Sequence, residues 1–262
     1  MLSHHQKQGC FVILKNLNGK NVLITGGSRG IGAALVKQAA DAGANVLFCS
    51  RTFSADTKKL CSLSQVTGMI ADISQHEEIE KLFIKADSLF PHLDIVINNA
   101  AIDQTDLLVY TDLEDWQKII HTNLTAAFLI SQYAIKRFLT EQPHSIVFIS
   151  SLAEQGAPAS AAYAMSKGGL HGLAQSINYH FNTQNIYANI VTLGLVETDL
   201  SKEYPDFSKR LLIDICPLKR SSKPEEIAAG ILYMAAEQPA IFSKSPLHIT
   251  GGLIDYPIDF SH

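Results

Sequence analysis

Val22-Leu23-Ile24-Thr25-Gly26-Gly27-Ser28-Arg29-Gly30-Ile31-Gly32 decides the fold. The apolar run Val22 to Ile24 reads as a buried strand, the glycines as a turn, and the Ala/Leu-rich residues 33–42 as a helix. A strand that passes through glycines into a helix N-terminus makes an anion site. Glycine lets the backbone approach a pyrophosphate, and the first helical N–H groups and the helix dipole face its charge. The spacing is G-x-x-x-G-x-G rather than the G-x-G-x-x-G of the dinucleotide fingerprint. An ordinary glycine-rich turn has the same local form, so the reading depends on the rest of the chain.

Outward from this stretch, strands and helices alternate. Apolar runs predict further strands at 45–49, 66–71, 94–97, 145–149, 186–192 and 247–250. Ser74-Gln75-His76-Glu77 reads as a capping box opening a helix with Ile79, Leu82, Phe83, Ala86, Leu89 and Phe90 on one face. Thr111-Asp112-Leu113-Glu114 reads as a second, opening one long helix to about Phe138. Another helix spans 161–181, and Pro224, with Glu225 and Glu226 behind it, starts a further one. Such alternation predicts an α/β fold: a parallel sheet, doubly wound by right-handed crossovers, in a single domain. Residues 194–217 are long for a connection and read as a lid or substrate loop.

The bulk composition agrees. A chain of 262 residues, 47% hydrophobic, can bury one large core. The net charge of −4, with acids and bases interspersed, gives no basic face for nucleic acid and no polybasic membrane patch. The four cysteines, Cys10, Cys49, Cys61 and Cys216, form no C-x-x-C pair, which fits a reducing compartment. No apolar run is long enough to span a bilayer. Residues 1–16 read as an N-terminal extension ahead of the domain 17–262. Their apolar run Phe11 to Leu14 is too short for a signal peptide, and a cytoplasmic protein is expected. His4-His5 reads as tail, and no metal site is expected.

In a doubly wound sheet, ligands bind beyond the C-terminal ends of the strands. Thr25-Gly26, Ser50-Arg51, Asp72-Ile73, Asn98-Asn99, Ser150-Ser151 and Leu193-Gly194 each follow a strand and should line one rim. Tyr163 and Lys167, four apart on a helix, share a face. A free tyrosine titrates near about 10, too high for easy proton exchange at neutrality. A neighbouring cation favours the phenolate, so this pair suits general acid/base work, with a solvated helix face as the alternative.

These residues carry a resemblance. Thr25-Gly-Gly-Ser-Arg-Gly-Ile-Gly32, Asn98-Asn-Ala-Ala101, Asn123, Ser151 and Tyr163-x-x-x-Lys167 resemble, in order, the motif set of the short-chain dehydrogenase/reductase family, and most of all its 3-oxoacyl-acyl-carrier-protein reductases. The resemblance runs from about Lys20 to Gly252 and implies a Rossmann-type fold and a homodimer or homotetramer. It implies that Tyr163 exchanges a proton with the substrate oxygen, that Ser151 orients that oxygen, that Lys167 binds the nicotinamide ribose and lowers the Tyr163 pKa, and that Asn123 holds a water relaying protons to Lys167. Gly26, Ser28, Arg29, Gly30, Ile31 and Gly32 would cradle the cofactor. Asp72 and Ile73 would meet its adenine, and Asn99, Ala100, Gly194 and Val196 would lie along it.

Four positions depart from the family pattern: Ala101 for Gly, Leu193 for Pro, Thr250 for Asp, and twelve rather than thirteen positions from Ser151 to Tyr163. Ser150 has the commoner spacing and stays an alternative to Ser151. The expected activity is hydride transfer with NADP(H) between a carbonyl and a secondary alcohol. NAD-linked alcohol, polyol or steroid dehydrogenases are alternatives, as is a catalytically weak cofactor-sensing regulator. NADP(H) is preferred over NAD(H) because the second strand ends Ser50-Arg51 with no acid to repel a 2′-phosphate. Arg51 and Arg29 are placed to meet that phosphate, unless Arg51 points to solvent. Leu152, Glu154, Gln155, Leu195, Val196, Tyr204 and Phe207 are candidate substrate walls, or ordinary loop packing.

Overall fold

The computed structural model describes residues 17–138, 141–202, 204–237 and 239–253; the expected N-terminal extension, with Cys10 and His4-His5, lies outside the described residues. The glycine stretch folds as read. β1 (Asn21–Thr25) is buried throughout, Gly26 and Gly30 take positive φ of 69° and 53°, and α1 (Gly30–Asp41) follows directly. The chain continues through β2 (Asn45–Ser50), α2 (Ala55–Leu60), β3 (Val66–Ile70), α3 (His76–Leu89) and β4 (Ile95–Asn98). Next come α4 (Leu113–Ile120), a π-helical turn (His121–Thr125), α5 (Ala126–Ile135) and β5 (His144–Ser151). After a 3-10 turn (Leu152–Gln155) come α6 (Ala161–Phe181), β6 (Ile186–Leu193), α7 (Asp199–Lys202), α8 (Asp206–Ile215), α9 (Pro224–Glu237), α10 (Pro239–Phe242) and β7 (Leu247–Ile249).

The strands form one seven-stranded sheet in the order β3-β2-β1-β4-β5-β6-β7, with every pair parallel. Successive side chains leave a strand on opposite faces. Val22, Ile24, Val46, Phe48 and Val147 pack with α1 and α9, while Leu23, Leu47, Val96, Ile146 and Phe148 pack with α3, α5 and α6. Both faces are thus dry, which is why the strands read as continuous apolar runs rather than alternating ones. The strand order reverses between β1 and β4, and a crevice opens there beyond the strand ends. No described helix is long and apolar enough to cross a membrane, and no described cluster of His, Cys, Asp or Glu could hold a metal. Cys49 is fully buried in β2, and burial pushes its thiol up to about 12.

Several expectations change. Neither expected capping box forms. The Ser74 N–H donates to Asp72 Oδ1 and α3 starts from Gln75, while Thr111 Oγ1 donates to the Leu107 carbonyl and α4 starts from Asp112, with no side-chain cap in either. A cap contributes about 1 kcal/mol, whereas each of the fully buried Ile79, Leu82 and Phe83 contributes about 1.5–3 kcal/mol. Burial therefore places α3 without a cap. A true capping box joins Ser54 and Thr57 at the head of α2, a helix not anticipated, because Thr57 stands where Glu or Gln is usual. The long helix to Phe138 is interrupted at His121–Thr125 by the π turn, a feature that gathers at functional sites. Residues 194–217, read as a lid or substrate loop, carry the two short helices α7 and α8.

Candidate active site

A groove runs along the sheet's C-terminal rim in two connected halves. The first half is lined by the glycine turn, Ser28, Arg29, Ile31, Ser50, Arg51, Asp72, Ile73, Asn99 and Ala100. The second is lined by Ser151, Leu152, Tyr163, Lys167, Leu193, Gly194, Leu195, Val196 and Tyr204. Ile31, Asn99, Ala101, Thr198 and Leu200 border both halves.

The first half suits a dinucleotide. A Cβ on Gly32 would stand 2.0 Å from the Gly26 carbonyl oxygen, and one on Gly26 would stand 2.9 Å from Ala100 Cα, so bare glycine lets turn, helix and β4 close together. Thr25 Oγ1 accepts from the N–H groups of Asn99 and Ala100 at 3.1 Å, and Asn99 Nδ2 donates to the carbonyls of Thr25 and Gly26 at 2.9 and 3.1 Å. No side chain caps the start of α1 and no acid lies in its first turn, so its N–H groups and dipole remain available to an anion. Arg51 is exposed on the groove edge. Arg29 stands 3.4 Å from Asp199, an exposed pair that competes with a phosphate for the guanidinium only weakly.

In the second half, α6 brings Tyr163 and Lys167 together, with Lys167 Nζ 5.5 Å from the centroid of the Tyr163 ring. Both are buried, and Lys167 Nζ donates to the Ile149 carbonyl at 2.7 Å. Ser151 stands beside Tyr163 in the cavity lining, and its Oγ accepts from the Ala153 N–H at 3.2 Å. Ser150 leaves β5 on the other face and does not reach Tyr163: its hydroxyl donates to Glu154. Burial, followed by the charge of Asp103, pushes the Tyr163 phenol up, against the pull of Ser151. Burial desolvates Lys167 as well and brings it down from 10.5 to about 8, against the charges of Asp103 and Glu154.

Three candidate substrate residues do not face the cavity. Glu154 turns behind β5 onto Ser150, His171 and Thr192, while Gln155 and Phe207 lie outside the lining. Asn123, in the π turn, gives its side chain to structure: Oδ1 accepts from the Ile102 N–H at 2.9 Å, and Nδ2 donates to the Ile102 carbonyl at 2.8 Å and to Ser166 at 3.0 Å. Its amide thus ties α4–α5 to the chain leaving β4 and to α6. The lining also contains Asp103 and Thr198, which the sequence reading missed. Asp103 follows β4 on the same rim, so the strand-end rule pointed toward it. Burial raises its carboxyl, whose Oδ2 accepts from the Tyr204 hydroxyl at 3.4 Å.

Comparison with known proteins agrees with this geometry. The family model described as short chain dehydrogenase matches residues 20–209. A 3-oxoacyl-[acyl-carrier-protein] reductase of Rickettsia felis is 31% identical over 245 residues, covering 91% of this chain and 98% of that protein. The reductase of the same name from Escherichia coli is 29% identical over 240 residues, covering 91% and 98%. Among solved structures, a mutant of a Serratia marcescens short-chain dehydrogenase/reductase superposes with a TM-score of 0.83 at 31% identity, covering 90% of this chain and 98% of that one.

Proposed function

The chain belongs to the short-chain dehydrogenase/reductase family, and from that premise we propose that it reduces a carbonyl to a secondary alcohol with NADPH, or runs the reverse with NADP. The observation that carries this reading is the meeting of Ser151, Tyr163 and Lys167 in one cavity continuous with a glycine-floored groove. The relatives are named for reduction of a 3-oxoacyl group, which supports the carbonyl-to-alcohol direction.

When bound, the cofactor supplies the hydride. Gly26, Ser28, Gly30, Ile31 and Gly32 would hold its pyrophosphate at the start of α1, Arg51 and Ser50 would take the 2′-phosphate with Arg29 nearby, and Asp72 and Ile73 would border the adenine. Asn99, Ala100, Gly194 and Val196 line the path to the nicotinamide end. Ser151 donates a hydrogen bond to the carbonyl oxygen, and Tyr163 gives it a proton as negative charge develops. The phenol is protonated at neutral pH and so has a proton to give. Lys167 would contact the ribose and return a proton to Tyr163, itself reprotonated from solvent, and Asn123 keeps the π turn and the β4 exit in place around that relay. Leu152, Leu195 and Tyr204 wall the substrate.

The test is a carbonyl panel, including 3-oxoacyl thioesters, with NADPH consumption followed by absorbance. Turnover that requires both carbonyl and NADPH supports the proposal. Tight NADPH binding with no turnover on any carbonyl would favour the cofactor-sensing alternative.

A further inference from the structure

Resting on that reading of the site, one buried acid behind it acquires a task. Glu154 lies in the 3-10 turn after β5 with its side chain only 9% exposed. Its Oε2 accepts from Ser150 Oγ and stands 2.7 Å from His171 Nε2. Thr192 Oγ1 stands 3.2 Å from Oε1 and 3.4 Å from Oε2. One carboxylate therefore joins four pieces of chain: the end of β5, its register partner on β6, the 3-10 turn and α6. Ser150 Oγ also lies 3.4 Å from the Lys167 carbonyl, but its single proton goes to the closer, charged acceptor.

We propose that Glu154 is a positioning residue, bracing the end of β5 against β6 and α6 and thereby setting where Ser151 stands relative to Tyr163 and Lys167. Both ends of the brace adjoin reacting groups. Ser150 precedes Ser151 and points to the opposite face, so fixing one fixes the other. His171 is one helical turn beyond Lys167. A carboxylate this buried needs its bonds satisfied. Burial alone would raise it, but the bonds from His171 and Ser150 outweigh burial and hold it below the usual carboxylate range. Being ionised, it also favours the charged form of Lys167.

The test compares Glu154→Leu, Glu154→Gln and Ser150→Ala in the full chain. Hydrogen exchange at the Ala153 amide, whose acceptor is Ser151 Oγ, reports the serine's placement without substrate or cofactor. In Glu154→Leu and Ser150→Ala that amide should exchange about tenfold faster or more, and kcat should fall about tenfold or more with KM within about threefold. Glu154→Gln keeps an acceptor oxygen and the side-chain shape, and should recover most of both. If Glu154→Leu does not fold, Ser150→Ala carries the same expectation. Ala153 exchange within about twofold of wild type in Ser150→Ala, or equal losses in Glu154→Gln and Glu154→Leu, would overturn the brace. Wild-type turnover with unaffected variants sinks the brace and leaves the reductase reading intact. Faster exchange in a protein that reduces no carbonyl supports the brace and sinks the reading.

Discussion

Replacing Gly32 by alanine should damage both the fold and the cofactor groove. The added Cβ would sit 2.0 Å from the Gly26 carbonyl oxygen, 2.8 Å from its carbon and 2.7 Å from Asn99 Nδ2. The first two of these atoms are backbone, in a turn held by the Gly26 and Gly27 N–H groups bonded to the Cys49 carbonyl at 2.8 and 3.1 Å. The turn cannot swing aside as a flexible side chain would. Overpacking costs about 1–3 kcal/mol where some relaxation is available, and the upper end applies here. For a chain of this length each kcal/mol moves the melting midpoint by about 2–4 °C, so a fall of about 6–12 °C is expected. The helix start is displaced by the same contact, so NADPH affinity should fall about tenfold or more. Calorimetry and NADPH fluorescence titration read the two effects. A midpoint within about 2 °C of wild type together with unchanged NADPH affinity would show that the turn has room for a methyl group.

Arg51→Asp should shift the NADPH-to-NADH efficiency ratio toward NADH by about 10- to 100-fold, since one charge-assisted bond contributes about 1.5–3 kcal/mol; equal use of both cofactors by the wild type would remove Arg51 from the account. Ser151→Ala should lower kcat about 100-fold or more, well beyond Ser150→Ala, and the reverse ranking would transfer the role to Ser150. Lys167 titrates near 8 when folded, against 10.5 as its ordinary value, so the unfolded chain binds the extra proton between these limits and its contribution makes stability rise with pH from about 8 to 10.5. Denaturant titrations of Lys167→Met should lack that rise, and an identical pH profile would contradict it. Phe128 on α5 and Met165 and Tyr179 on α6 are 49%, 56% and 86% exposed, and Leu108, Val109 and Tyr110 are 70% exposed or more. This surface predicts a dimer or tetramer by light scattering at micromolar concentration, and a monomer would count against it.

The sheet could be read from the chain because the central strands are buried on both faces, and that burial writes an apolar run such as Val22 to Ile24 directly into the sequence. The rim was legible for the same reason: once strand ends are located, Ser151, Asn99 and Gly194 fall beside one another by topology. Side-chain direction was not legible. Glu154 and Ser151 are close neighbours in sequence, yet Ser151 faces the cavity and Glu154 turns behind the strand. Which does which depends on Ser150, His171 and Thr192, partners that come from three different elements. The π turn at Asn123 was hidden for a related reason. Its amide is satisfied by Ile102 and Ser166, contacts that no local periodicity encodes. Nor does spacing reveal desolvation: Tyr163 and Lys167 are both buried, and burial is the largest influence on each.

If Tyr163 delivers the proton to a substrate carbonyl while bound NADPH supplies the hydride, single-turnover oxidation of bound NADPH should separate wild type from Tyr163→Phe. The substrate would be the best carbonyl of the panel. NADPH affinity should stay within about threefold of wild type, and the hydride-transfer rate should fall by about 100-fold or more. A Tyr163→Phe rate within a few-fold of wild type would contradict the assignment of Tyr163 as the proton donor.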